Sequence, residues 1–155
     1  MNTARGPTRK KYLARTIQDF TTKVLSSLWK ARGDSRPTGC LAVRNETKDT
    51  TLAERADIAD DSAKRRKGLL GRKSLEPGQG LWIVPCQGVH CWGMRFPIDV
   101  VFLDRRRRVS KLRPDVRPGG LALCLWAHSV LELPSGTIRQ TQTERGDQLR
   151  LTFPD

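Results

Sequence analysis

The segment of residues 97–103 constrains the fold most, because it is apolar on both faces apart from Asp99. Successive side chains of an extended chain point to opposite sides. Here they form two sets: Ile98, Val100 and Phe102 on one side, and Asp99, Val101 and Leu103 on the other. A strand with two apolar faces is covered by other parts of the chain on both sides. We therefore predict a central strand over residues 97–104.

Six further segments have alternating or short apolar patterns, and we predict them as strands. They are residues 40–45, 80–85, 90–96, 109–112, 121–133 and 148–153. A short helix is predicted over residues 137–143. The four arginines at 105–108 are predicted as a solvated hairpin tip. The pattern as a whole predicts a mainly β domain.

One longer helix is predicted over residues 52–67. Thr51 and Glu54 have the spacing of a capping box at its start, and a narrow stripe of leucine and alanine follows. The basic run 64–67 suits the negative end of the helix dipole, and Gly68 is expected as the C-cap. We interpret this run as a helix end rather than a nucleic-acid site, and we expect the helix to pack on the sheet.

Residues 1–38 are predicted as a basic extension that precedes a β domain of residues 39–155. Within the extension, residues 11–32 place apolar side chains at helical spacing among lysines and arginines, and a linker follows at 34–39. This amphipathic helix has three interpretations. It docks on its own domain or on an acidic partner protein, it lies on an anionic membrane surface, or it is a targeting segment.

The overall charge favours an acidic partner of some kind, or serves only the solubility of the protein. Lysine and arginine number 29 against 16 aspartates and glutamates, a formal net charge of +13. The four cysteines do not suggest a disulfide framework, because 155 residues can bury a core without one. No apolar run has the length of a membrane span, and no leader with an apolar core opens the chain. We expect a cytoplasmic protein, or one held peripherally at the inner face of the membrane.

A candidate pocket is predicted where polar groups stand among aromatic residues. Residues of one parity in a strand share a face, and two such faces would carry both histidines, two tryptophans and a carboxylate. Imidazoles and carboxylates are costly to bury unless they are paired, which favours a site. The predicted members are His90, Trp92, Met94, Asp99, Trp126, His128, Glu132, Arg72 and Arg95. The alternative is structural: Asp99 and Glu132 form buried ion pairs with Arg72 or Arg95.

No metal and no cofactor is predicted. Cys86, His90 and Cys91 stand close together, but a structural zinc site needs about four ligands, usually in pairs two to four residues apart. Cys91 would also lie on the opposite face of a regular strand from His90. We expect these cysteines to pack as small apolar side chains.

Five short motifs carry a resemblance to a known family. They are Val43-Arg44-Asn45-Glu46-Thr47, Gly68-Leu-Leu-Gly-Arg72, Pro97-Ile-Asp99, Val130-Leu-Glu-Leu-Pro134 and Gly146-Asp147. In this order, over residues 39–153, the chain resembles the bacterial and archaeal family called domain of unknown function 192. The resemblance implies a compact all-β sandwich or barrel, roughly jelly-roll-like, with one packed helix. It implies no established activity, substrate or cofactor.

Three functions are compatible with these residues. The first is a non-enzymatic module that binds a ligand or a protein. The second is a small hydrolase-like enzyme that uses His, Glu, Asp and Cys groups in one pocket, although no catalytic motif fixes such groups. The third is charge-driven binding to nucleic acid or an anionic surface. Nucleic acid ranks lowest, because basic and aromatic residues do not interleave on any one predicted strand. The oligomeric state does not follow from the sequence.

Overall fold

Nine strands and two short helices make up residues 39–153, the part of the chain that the computed structural model describes. In chain order they are β1 (Cys40–Asn45), β2 (Thr50–Ala59), α1 (Ser62–Lys67), β3 (Gln79–Ile83), β4 (Gly88–His90), β5 (Ile98–Leu103), β6 (Val109–Val116), β7 (Leu121–Leu123), β8 (Ser129–Pro134), α2 (Thr137–Gln140) and β9 (Leu149–Thr152). The mainly β prediction is confirmed. The predicted extension of residues 1–38, with its helix at 11–32, lies outside the described residues.

Seven of the strands form one curled sheet in the order β6-β5-β8-β3-β2-β1-β9. Its strand pairs are antiparallel except for β2 with β3, which run parallel. The two edge strands of this sheet approach each other at one end. There the Val109 N–H donates to the Asp147 carbonyl at 2.9 Å, and the Gly146 N–H donates to the Val109 carbonyl at 2.8 Å. The sheet is therefore a half-barrel that closes at one end.

Apolar side chains fill both faces of this sheet. One cluster draws on all seven strands and on Ile138 of α2, and it fills the inside of the curl. A second cluster lies on the other face of β3, β5 and β8. It is covered by the small two-stranded sheet of β4 and β7 and by Leu69 and Leu75 from the loop after α1. The chain therefore has two apolar layers with the central strands between them.

The predicted central strand is confirmed as β5. It lies between β6 and β8, and all six of its residues are buried. Both of its apolar faces are used, because Val101 and Leu103 belong to the cluster inside the curl while Val100 and Phe102 belong to the outer cluster.

The helix predicted over residues 52–67 is wrong in its first half, because residues 52–59 belong to strand β2. Backbone pairing on both edges, with β1 and with β3, outweighs the helical propensity of the alanines. The predicted capping box is also wrong, because the Glu54 N–H donates to the Gly78 carbonyl at 2.8 Å. The true N-cap is Asp61, whose Oδ1 accepts the N–H groups of Ala63 and Lys64. Helix α1 has no buried residue, so the predicted apolar stripe is absent, and the helix contacts the chain after β3 through Arg65, which donates to the Val84 carbonyl at 3.2 Å.

Other predicted boundaries also change. The predicted strand 121–133 is two strands, β7 and β8, separated by a turn in which the Ala127 N–H donates to the Cys124 carbonyl. The predicted strand 90–96 ends after His90, because the chain turns there with Gly93 at a φ of +77°. Strand β6 is longer than predicted and takes in half of the expected loop 113–120. Each of these turns interrupts the alternation of side chains between the two faces of a strand. The predicted pocket depended on that alternation continuing through residues 90–96 and 121–133.

A buried polar cluster marks the closed end of the half-barrel. The Asn45 side-chain amide donates to Asp147 Oδ2 at 2.8 Å, while Asn45 Oδ1 accepts the N–H groups of Thr47 and Lys48. Asp147 Oδ2 also accepts the Glu144 N–H at 2.8 Å. Because these buried groups satisfy one another, we interpret the Asn45 and Gly146-Asp147 motifs as structural.

Candidate functional site

The strands β4 and β7 carry an exposed apolar surface. Five large hydrophobic side chains are exposed in residues 39–153, and all of them belong to these strands or to the turns beside them: Trp92, Leu121, Leu123, Leu125 and Trp126. We call these five residues the apolar ribbon. Trp126 is 87% exposed and Leu125 is 71% exposed. A grouped apolar surface of this kind marks an interaction site more often than a single exposed side chain does.

Local backbone structure forces these side chains outward. Strand β7 has only three residues, of which Ala122 faces the core while Leu121 and Leu123 face solvent. The turn after it is held by Gln87, whose Nε2 donates to the Leu125 carbonyl at 2.6 Å and whose carbonyl accepts the Cys124 N–H. Cys124 and Ala127 are buried on either side, so the intervening Leu125 and Trp126 project from the surface.

Basic side chains flank the ribbon. Lys111 Nζ donates to the Leu123 carbonyl at 2.8 Å, and Arg113 is exposed two residues further along β6. Arg95 is exposed three residues after Trp92. Arg105 belongs to the hairpin tip beside His128. None of these four cations forms an ion pair within residues 39–153.

Glu132 lies on the sheet face that this ribbon covers. In the strand register, Glu132 is opposite Leu81 of β3 and Val100 of β5. Both of these residues belong to the outer apolar cluster. Its side chain is 4% exposed, and its Oε2 atom has no hydrogen-bond partner within the described residues. Burial raises the pKa of Glu132 to about 7, and the charge of Arg72 offsets this only in part. Glu132 is therefore a carboxyl that exchanges its proton near neutral pH in an apolar layer.

Asp99 lies on the opposite face of the sheet from Glu132. Along the β5–β8 pair, Asp99 is opposite Leu133 whereas Val100 is opposite Glu132. Asp99 is fully buried, and its two oxygens accept the N–H groups of Asp115 and Ile138 at 2.9 and 2.8 Å. The structure therefore does not bring these two acids of the predicted pocket together.

The two histidines occupy different surroundings. His90 is exposed and stacks on Trp92, with ring centroids 4.9 Å apart. His128 is half-buried after the Cys124–His128 turn, and its backbone bonds to Leu103 and Cys86. Burial, together with the charge of Arg105, lowers the pKa of His128. His90 and Trp92 are therefore in contact, whereas His128 has different neighbours.

The predicted buried ion pairs are wrong. Arg72 donates to Asp57 Oδ2 at 2.6 Å, and Arg95 is exposed without a carboxylate partner among the described residues. Both Arg72 and Asp57 are partly exposed to solvent. This ion pair therefore avoids the desolvation cost that a pair between Arg72 and a buried carboxylate would have. Met94 packs against the outer cluster.

The cysteines have no sign of activation. All four are free thiols. Burial raises the pKa of Cys86 and raises that of Cys91 to about 11, so both are protonated at neutral pH and are poor nucleophiles. Within residues 39–153 no group of three or more His, Cys, Asp or Glu side chains is arranged to hold a metal ion.

The leucines of the ribbon were missed by sequence reasoning. Alternation along the predicted strand 121–133 places Leu121, Leu123 and Leu125 on the face opposite Trp126 and His128, so they are not among the predicted pocket residues. The turn that exposes Leu125 depends on the distant Gln87, so no local sequence signal marks it.

The comparisons with known proteins agree with this architecture. The family model DUF192, described as "Uncharacterized ACR", matches residues 43–151. The protein UPF0127 TK1120 of Thermococcus kodakarensis is 28% identical over 113 residues, which cover 70% of this chain and 71% of that protein.

Two solved structures have the same fold. One is a protein of unknown function from Novosphingobium aromaticivorans, with a TM-score of 0.64, 20% identity and coverage of 75% of this chain and 93% of that one. The other is a Sinorhizobium meliloti protein proposed to be a transcription regulator, with a TM-score of 0.62, 20% identity and coverage of 72% and 92%. The fold and the family model together make this chain a member of the uncharacterised family called domain of unknown function 192.

Proposed function

We propose that this domain is a non-enzymatic binding module and that the apolar ribbon is its binding surface. The observation that carries the proposal is the ribbon itself. A folded domain with two well-filled apolar layers still exposes five large hydrophobic residues side by side. Their exposure costs hydration free energy, which binding of a partner would recover. Trp92 and Trp126 of the predicted site belong to this surface.

The surroundings of the titratable groups favour binding over catalysis. A general base and a nucleophile have to lie within hydrogen-bond reach of each other and of a substrate. Here His90 stacks on Trp92, Asp99 holds two backbone N–H groups, and Glu132 is buried on the other face of the sheet. Two cysteines have raised pKa values. A hydrolase-like site made of these groups therefore has little support.

The free thiols also indicate the cellular compartment of the domain. Four free cysteines are typical of a reducing compartment, so we infer a cytoplasmic location. Neither helix within residues 39–153 is long and apolar enough to cross a membrane.

Site-specific crosslinking tests the binding function. We expect a photoreactive p-benzoylphenylalanine at position 125 of the full chain, expressed in the native host, to give a light-dependent adduct of defined size. The reason is that the Leu125 side chain is 71% exposed on the ribbon and would contact the bound partner. The adduct is measured by gel shift and identified by mass spectrometry.

Two controls make this result specific. The same photoreactive residue at position 140, which is exposed on α2 away from the ribbon, should not give the adduct. The double variant Leu121→Ser/Leu123→Ser should remove the adduct while leaving the melting temperature nearly unchanged, since both side chains are about half exposed. Identical products at positions 125 and 140, or none at either, would refute the binding function.

A further inference from the structure

We propose that the apolar ribbon docks on an anionic lipid bilayer. This inference rests on the proposed binding function, and it adds the kind of partner. Three features of the ribbon carry it: the types of side chain that project, the hydrogen bonds of the backbone beneath them, and the charges at the rim.

The projecting side chains suit a membrane interface. Trp92 and Trp126 lie at the two ends of the ribbon, with leucines of β7 and the following turn between them. Tryptophan is enriched at the level of lipid headgroups, where its ring and its N–H find apolar and polar surroundings together. Leucine adds apolar area that enters the acyl region. The five exposed side chains belong to two short paired strands and the turns beside them, so a soft surface can cover them all at once.

Three polar groups under the ribbon already have hydrogen-bond partners. The carbonyls of Leu123 and Leu125 accept bonds from Lys111 and Gln87, and the Trp92 indole N–H donates to the Gly119 carbonyl at 3.1 Å. Unmet backbone groups cost several kcal/mol in hydrocarbon. The ribbon can therefore leave water without losing these hydrogen bonds.

The charges at the rim select anionic lipid. Arg95, Arg105, Lys111 and Arg113 carry no ion pair within the described residues. The nearby acids are engaged elsewhere: Asp115 contacts Arg117 and Ser135, and Asp104 accepts the N–H groups of Arg106 and Arg108. Each basic residue near an anionic membrane strengthens binding by roughly fivefold.

Other partners fit the same surface less well. In a symmetric dimer the uncompensated cations of the two copies would face each other, which is unfavourable. Single-stranded nucleic acid would stack on the tryptophans but would leave the three leucines between them uncovered by bases. A bilayer matches both the leucines and the cations.

Tryptophan quenching in the full chain tests the inference directly. Trp29→Phe and Trp92→Phe leave Trp126 on the ribbon and Trp82 in the core, where it is 7% exposed. The probe is a vesicle of phosphatidylserine and phosphatidylcholine with bromine on the acyl chains. We expect these vesicles to quench and blue-shift Trp126 emission, high salt to reverse the effect, and phosphatidylcholine alone to give little. Vesicle binding without quenching of Trp126 would overturn the inference, because another part of the chain would then be responsible.

Matched variants separate the apolar and electrostatic parts. Leu123→Ser/Leu125→Ser should weaken vesicle binding at least about tenfold, from the lost apolar area. Lys111→Gln/Arg113→Gln should weaken it at least about tenfold, whereas Arg139→Gln/Arg145→Gln, which removes two exposed charges elsewhere, should change it less than about twofold. Equal losses for the two charge pairs would overturn docking through the ribbon.

The crosslinking result distinguishes the two proposals. A lipid adduct at position 125 supports both. A protein, nucleic-acid or second-copy adduct leaves the binding function standing and overturns the membrane inference. The absence of any specific adduct refutes the binding function itself.

Discussion

Replacing Asp99 by alanine is expected to destabilise the domain by about 4 kcal/mol. The carboxylate is fully buried, and it accepts the N–H of Asp115 in β6 and that of Ile138 in the first turn of α2. Hydrogen bonds to a charged group contribute about 1.5–3 kcal/mol each, and a donor left buried without a partner adds a penalty. Chemical denaturation at neutral pH measures the loss as a fall in the free energy of unfolding.

Two further variants define the cause. Asp99→Asn keeps one acceptor oxygen and nearly the same volume, so we expect it to lose about half as much free energy of unfolding. Glu144→Ala removes an exposed carboxylate that pairs with Lys48, and it should cost less than about 1 kcal/mol. If Asp99→Ala were as mild as Glu144→Ala, Asp99 would not be the structural anchor that its hydrogen bonds indicate.

The second large effect concerns Glu132 and pH. The carboxyl has a pKa of about 7 in the folded protein and an ordinary value of 4.5, so the folded state binds the extra proton between these values. Its contribution to stability is therefore complete below pH 4.5, falls as the pH rises, and is lost once the pH exceeds about 7. The loss over this window is about 3 kcal/mol, from 1.36 kcal/mol for each unit of pKa difference.

The variants Glu132→Gln and Glu132→Met remove this titration. The difference in unfolding free energy between the natural chain and Glu132→Gln should change by about 3 kcal/mol between pH 4.5 and pH 7, in the direction that favours the variant at the higher pH. Glu132→Met also removes the unpaired Oε2 atom, so it should be more stable than the natural chain above pH 7. A difference that does not vary with pH would mean that Glu132 does not titrate in this window. A loss of several kcal/mol at every pH would mean that the carboxylate makes a buried pair.

Glu132 also lies beneath the surface that we propose for binding. The ribbon strand β7 contributes Ala122 to the same apolar cluster that surrounds this carboxyl. Glu132→Gln therefore provides a useful comparison in the vesicle experiment. Because the ribbon contacts a partner through its outer side chains, we expect this buried substitution to change vesicle binding little.

Much of the fold followed from residue pattern alone. The segment at 97–103 was predicted to be covered on both sides because both of its faces are apolar, and β5 is the strand with two filled apolar layers around it. The C-cap at Gly68 followed in the same way, and its N–H donates to the Lys64 carbonyl at 2.8 Å. These features depend on neighbouring residues in the sequence, so the sequence is sufficient to predict them.

Tertiary structure alone decided where the candidate site lies. Residues 50–59 have a helical alanine spacing but become a strand, because β1 and β3 offer backbone partners on both edges. Residues 121–133 look like one strand, yet the side chain of Gln87, distant in sequence, stabilises a turn by bonding to the Leu125 carbonyl. That turn sends Trp126 outward, while Glu132 is buried in β8 between β3 and β5. The spacing of apolar residues in the sequence determined which side chains alternate between the two faces of a strand. Long-range hydrogen bonds determined where that alternation stops, and therefore which side chains are exposed on the proposed binding surface.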